Sequence, residues 1–372
     1  LSFLIDVSSK CIILMYNETE TLRPRHIMSV SNIKRPKLKD ICERAGVSRA
    51  TVDRVVNNRS GVQDHTRKHV LSVIDELSGH GAYQTNRPGT DMLPIDFVIP
   101  DQGNAFLADQ AREIVDHAKI CGNVAVALHR PAGPTEDELA VLLDTLSTST
   151  RALGIIGVDS HRIRESLRAL CRRGVPVVTL ASDIHNVPRA AYVGIDNHAA
   201  GRLAGYLTGR LLGREKGKAA LILGSRAYRG HEEREMGFRS ILREKFPGLR
   251  IVNELEVHEN AGQAHAATLA LLRDHGDLDA VYCIGAGQNG VGNALVEAGC
   301  GHRVLFIGHG LSDDTRTHLV SGVMDVVIDE DARSEARSAV DVLVSAMRGK
   351  AIASPGPIRI QPVFSENLPA GP

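Results

Sequence analysis

Tryptophan is absent from the 372 residues, and aromatic residues make up only 3% of them. A site built on stacked rings is therefore hard to assemble, and binding groups must be mostly amides, carboxylates, hydroxyls and cations. Six cysteines (Cys11, Cys42, Cys121, Cys171, Cys283, Cys300) are scattered with no C-x-x-C spacing, which suits reduced thiols in a cytoplasmic protein and not a disulfide frame. Sixteen histidines form no H-E-x-x-H or related ligand spacing, so no metal site is expected. No G-x-S-x-G elbow occurs, and acidic pairs such as Glu232-Glu233 sit in an amphipathic pattern where solvent-facing charge is the default. Catalysis is not expected. Long apolar runs are also missing. The opening LSFLIDVSSKCIILMYN is too short to span a membrane and is interrupted by Asp6 and Lys10. Residues 1–30 are read as an extension outside the fold, ahead of a natural start at Met28.

A chain this long with 43% hydrophobic residues can build two or three cores. Its formal net charge of zero hides an asymmetry: Lys34 to Glu76 holds ten Lys or Arg against six Asp or Glu, an excess of four that the remainder cancels. A basic module on a mildly acidic body suits phosphate contact at one end only.

Within the basic stretch, RPKLKDICER is followed by AGVSRATVDRVVNNRSGV. Gly46-Val47 breaks two short helical patterns, and Ser48 stands where an N-cap acceptor would start the second. Val52, Val55 and Val56 fall at i, i+3 and i+4, leaving Arg49, Ala50, Asp53, Arg54 and Asn57 on the opposite face. Leu38, Ile41, Cys42 and Ala45 repeat the inward spacing, and Val70, Ile74 and Leu77 mark a third helix. This is the outline of an all-α helix-turn-helix unit, placed at 36–80. Its plainest competitor is a small helical bundle that binds a protein.

The D-I-x-x-x-A-G-V-S-x-x-T-V-x-R-V-x-N pattern, with Thr66, Arg67 and Val70 later, resembles the headpiece of the lac-repressor (LacI) family of transcription regulators. The resemblance implies double-stranded operator DNA as partner, read by Ser48, Arg49, Ala50, Thr51, Arg54 and Asn57. Asp53 departs from the Ser that many members carry, and its carboxylate repels phosphate unless Arg49 or Arg54 screens it. After Leu77 a Gly- and Pro-rich stretch reads as a linker, placed at 81–94. Members usually carry a hinge helix there whose Leu wedges into the minor groove, and Arg87-Pro88-Gly89-Thr90 shows no such helix.

From Ile95 onward, short apolar runs alternate with amphipathic ones. IDFVIP, NVAVALH, ALGIIGV, VPVVTL, AYVGI, AALILG, AVYCIG, RVLFIG and VMDVVI read as nine strands, many apolar throughout as in sheets covered on both faces. Residues 105–121, 135–148, 161–173, 197–213, 231–246, 262–275 and 290–299 read as helices, which makes the body α/β with parallel sheets. One wide sheet or two smaller ones would satisfy this pattern. The segments VPVVTLxSD, AYVGIDNxAAGR, REMGF and DEDARSEARSAV resemble the periplasmic-binding-protein-like (type I) effector domain of LacI regulators, in its ribose-binding branch. The resemblance implies a two-lobed domain over 95–372. Lobe 1 would span about 95–193 and 329–350, and lobe 2 about 195–328 and 351–365, with crossings near Gly194, Asp329 and Ala351.

Gly285-Ala-Gly287-Gln-Asn-Gly290 follows a strand and satisfies G-x-G-x-x-G. It lies late in the fold, and His309 stands where a ribose-binding acid belongs after the next strand. A glycine loop that admits a ligand to the backbone is the better reading, and no cofactor is expected. In open parallel sheets ligands bind at the carboxyl ends of strands. Those loops present Asp101, Asn104, Phe106, Asp159, Ser160, Ser182, Asp183, Gln288, Asn289 and His309. The resemblance adds Arg234 in the R-E-x-G-F pattern and Glu330, which replaces a common Gln. Effector contacts are therefore expected from Asn104, Phe106, Asp159, Ser182, Asp183, Arg234, Asn289, His309 and Glu330. Arg234 and Asp183 should reach one ligand from opposite lobes. Ala181-Ser182 replace the Asp-Arg pair of ribose binders, and Phe106 is the sole aromatic candidate for stacking. The combined expectation is a cytoplasmic homodimeric regulator, controlled by a sugar, polyol or sugar acid. A ribose-type solute receptor and a nicotinamide oxidoreductase using the Gly285 loop are the alternatives.

Overall fold

A computed structural model describes residues 38–56, 62–63, 66, 69–70, 73 and 92–369, save 102, 133–134, 351–355 and 357. The chain divides into two compact units, Leu1–Thr90 and Asp91–Pro372.

In the first unit, α1 (Leu38–Ala45) stops at Gly46, whose φ of +62° is the left-handed conformation that suits glycine after a helix end. Two residues later Ser48 opens α2 (Arg49–Val56), its Oγ accepting from the Thr51 amide at 3.2 Å as an N-cap should. Ile41, Ala45, Val52, Val55, Val70 and Val73 form the shared core. Of the expected inward positions Ile41, Cys42, Ala45, Val52 and Val55 are therefore found there, while the side chains of Leu38 and Val56 are not among those described. Val73 joins Val70 on the inner face beyond the i, i+4, i+7 pattern, while Ile74 and Leu77 lie outside the described residues.

The second unit is α/β. Its first sheet contains β1 (Leu93–Val98), β2 (Val124–His129), β3 (Leu153–Ile155), β4 (Val177–Leu180) and β5 (Ala191–Val193), in the order β2-β1-β3-β4-β5. Each pairing within it is parallel. Its crossover helices are α3 (Ala105–Cys121), α4 (Glu136–Leu146) and α5 (His161–Arg172). They bury regular stripes such as Leu107, Ala111, Ile114 and Ala118, and Ile163, Leu167 and Leu170.

Beyond β5 the chain builds a second sheet. It comprises β6 (Gly217–Leu223), β7 (Leu249–Glu256), β8 (Ala280–Ile284), β9 (Leu305–His309), β10 (Val326–Asp329) and β11 (Gln361–Val363), in the order β11-β10-β9-β8-β6-β7. Around it stand α6 (Asn197–Leu212), α7 (Arg229–Lys245), α8 (Ala261–Asp274), α9 (Gln288–Glu297) and α10 (Asp313–Val320). The period of two divides its interior: Ala220, Ile222, Val281 and Cys283 enter one core, and Ala219, Leu221, Leu223, Tyr282 and Ile284 enter the other. After β10 the chain returns to the first sheet, where Ala336, Ala339, Val340 and Leu343 of α11 (Ala332–Met347) complete its core. It then crosses back to the second sheet as β11.

The described residues thus hold eleven strands where the apolar runs predict nine. β7 (LRIVNELE) is an edge strand with charged residues between half-buried ones, and β11 is a three-residue antiparallel edge containing Pro362, so neither gives an apolar run. Helix α10 escapes the periodicity for the same reason, since only Thr315, His318 and Leu319 of DDTRTHLV are buried. Among the described residues no helix is long and apolar enough to cross a membrane.

Candidate functional site

In the helix-turn-helix unit Ser48, Arg49, Ala50 and Arg54 are exposed and Thr51 is half-buried, on the side away from Val52 and Val55. The Ser48 hydroxyl also lies 2.9 Å from Thr51 Oγ1, so both side chains serve the helix start. Asn57 lies outside the described residues.

In the second unit a cleft lies between the two sheets, where Ile156, Ala181 and Ser182 of the first lobe face Gly230, His231 and Gly285 of the second. Its deepest part is a buried polar chain. Gly201, Gly205 and Gly209 stand one turn apart on α6 and face α7, and a Cβ on Gly201 would come within 1.9 Å of the Arg234 carbonyl oxygen. This backbone approach seats Arg234 inside, only 5% exposed. Its Nε donates to Asn197 Oδ1 at 2.7 Å and its NH2 group to Glu330 Oε2 at 2.6 Å. Glu330 Oε1 faces His309 Nδ1 at 3.3 Å, and His309 Nε2 lies 2.7 Å from the Tyr282 hydroxyl. A neutral His309 whose Nε2 accepts from Tyr282 carries its proton on Nδ1, which faces Glu330 without completing a hydrogen bond to it. Tyr282 stacks on Phe238, their ring centroids 4.9 Å apart.

Burial, reinforced by the Arg234 charge, lowers the His309 pKa to about 4, so the ring is neutral at pH 7. Burial also pushes Glu330 upward, but Arg234 and His309 together outweigh it and hold the carboxyl at about 2. Arg234 and Glu330 thus form an internally compensated ion pair.

A second polar group stands beside this chain. Glu259, 6% exposed, follows β7 with φ of +58°. Its Oε2 accepts from the Ala286 amide at 3.0 Å and from Asn104 Nδ2 of the opposite lobe at 3.2 Å. Oε1 has no hydrogen-bond partner among the described residues. His231 lies close by, its Nδ1 2.8 Å from the Ser225 carbonyl and 3.7 Å from Glu259 Oε1, and burial lowers its pKa. The Gly285 loop is shaped by these residues: with φ of +94°, a Cβ there would come within 2.7 Å of His231 Nε2 and 2.9 Å of Glu259 Oε1. Gly290 answers to packing, since its Cβ would meet the Ala261 carbonyl at 1.9 Å. The G-x-G-x-x-G spacing therefore follows from local crowding. The cavity is about 60 Å³, with an adjoining one of about 200 Å³ reached past Asn104, Phe106 and Gln288. That is room for a small metabolite, not for a dinucleotide.

Six expected effector residues, Asn104, Phe106, Ser182, Arg234, His309 and Glu330, line this cleft. Three do not. The Asp183 carboxylate is taken up within its own lobe by Thr179 Oγ1 at 2.7 Å, the Ile184 amide at 2.8 Å and Arg189, so it does not reach across to Arg234's ligand. Asp159 is held by Arg164 Nε at 2.6 Å. Asn289 lines only the adjoining cavity, where its Oδ1 meets His318 Nε2 at 3.1 Å. Asn104 does two things at once, since besides holding Glu259 it caps α3, its Oδ1 accepting from the Phe106 amide at 3.0 Å. From lobe 1, Ser182 Oγ accepts from the Gly230 amide at 3.0 Å and so satisfies one orphan donor in the first turn of α7. Arg234 sits a turn further along the same helix, beyond its open N–H groups.

Glu259 and His231 do not emerge from the sequence pattern. With β7 unread, the loop after it is absent from the strand ends considered, whereas His231 could have been found three residues before Arg234 on the same helix face. Elsewhere, His117, Cys121 and Asp341 bring potential metal-ligating atoms within 4.8 Å of one another, but none lines the cleft.

A parallel sheet and a largely parallel one, joined across a polar cleft, define a two-lobed ligand-binding domain. Residues 95–351 match the family model described as periplasmic binding protein domain, and residues 37–86 match that of bacterial regulatory proteins, lacI family. The chain belongs to the periplasmic binding protein domain family and carries a lacI-family regulatory domain ahead of it. It is similar to the HTH-type transcriptional regulator DegA of Bacillus subtilis (strain 168), 27% identical over 212 residues that cover 55% of this chain and 60% of that one. It is also similar to the ribose operon repressor of Halalkalibacterium halodurans, 26% identical over 74% of this chain and 77% of that one. With several other relatives, such as reg1 of Streptomyces lividans at 32% identity, the match spans about half of the relative, 48% in that case. Among solved structures, a glucose-galactose binding protein from Geobacillus stearothermophilus has a TM-score of 0.69 at 23% identity, covering 74% of this chain and 99% of that one. At that identity the likeness shows the fold alone.

Proposed function

We propose that this protein is a sequence-specific DNA-binding transcription regulator, acting as a repressor, whose operator affinity is set by a small polar effector bound between the lobes. The observation that carries this reading is the presence in one chain of a capped α2 with Arg49 and Arg54 exposed and of a cleft built on Arg234, Glu330 and His309. Arginines on a helix face can make bidentate contacts with guanine in the major groove. Ser48, Ala50, Thr51 and Asn57 complete the reading face, and a homodimer on a pseudo-palindromic operator matches the way such units pair half-sites. The cleft can transmit a signal because Ser182 to Gly230 and Asn104 to Glu259 already join the lobes, so a ligand that adds cross-lobe bonds favours the joined arrangement through its differential affinity. The named relatives, a ribose operon repressor among them, favour a sugar or related metabolite and a cytoplasmic setting. A solute receptor has no use for the first unit, and the cavity size disfavours a nicotinamide oxidoreductase.

Selection of bound sequences from a random duplex library by the full chain tests this. Recovery of a two-fold-symmetric motif, bound at least a hundredfold more tightly than random duplex, is the expected result. Recovery of no enriched sequence refutes it.

A further inference from the structure

The cleft carries an acid that the protein does not balance. Arg234 and Glu330 compensate each other at 2.6 Å, and His309 is neutral. Among the described residues, Arg234 is the only Lys or Arg that lines the cleft or its adjoining cavity. Glu259 then adds one negative charge, with its side chain 3% exposed and Oε1 lacking a hydrogen bond. His231 does not supply the missing cation: Nδ1 lies 2.8 Å from the Ser225 carbonyl and 3.2 Å from the Ser225 amide, the shorter contact has the ring donating to the carbonyl, and burial favours the neutral form. Its Nε2 is then an acceptor, and His231 and Glu259 both line the cleft. Two acceptors and one formal negative charge thus stand on the same side of the cleft, and among the described residues the adjoining cavity adds Asp314 and no Lys or Arg.

A buried carboxylate without a counter-charge is costly, and a ligand that brings the opposite charge removes that cost on binding. We infer that the effector carries a protonated amine, seated between Glu259 and His231, on a small polar skeleton whose acceptor oxygens meet Arg234. An amino sugar or an amino polyol has this chemistry. A lone metal ion fits poorly, since hard cations want six or more oxygen ligands and this spot offers one free carboxylate oxygen. The inference rests on the cleft being the effector site, as proposed above.

Isothermal titration of the full chain with matched sets of one skeleton tests it: D-glucose, D-glucosamine, N-acetyl-D-glucosamine and D-glucuronate, and the same four forms of D-galactose. At least one amine should bind tenfold or more tightly than the alcohol, the acetylated form and the acid of its own set. Glu259→Gln should then reduce that affinity at least tenfold and erase the preference. Wild-type preference needs no variant, so it stands as a readout even if Glu259→Gln folds poorly. Neutral or acidic members binding as tightly as amines overturn the amine and leave the cleft as effector site. Silence across both sets overturns the amine inference, and if operator binding also ignores every compound, the effector reading falls with it.

Discussion

Replacing Arg234 by methionine keeps much of its volume and leaves Glu330 buried without its cation. The magnitude follows in two ways. A carboxyl held at about 2 in place of 4.5 reflects roughly 3 kcal/mol of preferential stabilisation of its charged form. Breaking a buried ion pair on one side costs about 3–5 kcal/mol in general. Arg234→Met should therefore lose about 3 kcal/mol at pH 7, seen as a lower urea midpoint in unfolding followed by circular dichroism. The pH dependence separates charge from lost packing. In the wild type the depressed Glu330 contributes stability that is complete above pH 4.5 and fades as pH falls toward 2. In the variant burial acts on Glu330 without Arg234 to oppose it, so its pKa rises and the carboxyl protonates sooner. The deficit should shrink between pH 7 and pH 4.5. Arg234→Met/Glu330→Leu should recover at least half of the loss, because no unpaired charge remains. A deficit below about 1 kcal/mol, or one equal at both pH values, or a double variant no better than the single, would refute the compensated pair.

Arg54→Ala should cost about 1–3 kcal/mol of operator affinity and relax preference at one base pair per half-site, measured by fluorescence anisotropy; equal loss on random duplex removes the base-reading role. Glu335, fully buried against Gln110 Nε2 at 2.6 Å, has its pKa raised well above 4.5, first by burial and then by the Glu330 charge. A raised acid costs stability as pH climbs from 4.5 toward its folded pKa, so Glu335→Gln should gain on the wild type between pH 5 and pH 8, and a gap that stays constant in urea unfolding counts against this. Asp183→Asn should lower the melting temperature while leaving the effector's dissociation constant within about threefold, under 1 kcal/mol, since the carboxylate serves Thr179, Ile184 and Arg189; effector loss without destabilisation reverses that assignment.

Much of this architecture was legible because period and burial agree. Continuous apolar runs such as VVTL and AVYCI are central strands buried on both faces, and Gly46 and Ser48 mark a helix stop and start by chemistry that acts within four residues. Legibility failed at edges, where β7 mixes charge with half-burial and β11 is short. That failure propagated to the site, because Glu259 belongs to the loop that β7 delivers. Asp183 shows a different limit. It sits at a strand end as a ligand residue would, but a neighbour six residues on, Arg189, turns its carboxylate back into its own lobe. Strand-end position locates a residue and does not aim its side chain.

The close approach of α6 to α7 has a consequence for how such a protein can change its chemistry over generations. With Gly201 against the Arg234 carbonyl and Gly237 against that of His198, a single added methyl group displaces backbone on both helices. The arginine is thus mounted on a part that tolerates almost no alteration. The loop residues around it, Ala181, Ser182, Glu259, Gln288 and His309, sit at strand ends and helix starts, where side chains can be exchanged without moving the sheets. Descent with altered specificity should rewrite the loops and inherit the strut, so that successive effectors share one demand, an acceptor group for Arg234, and differ in everything else they present.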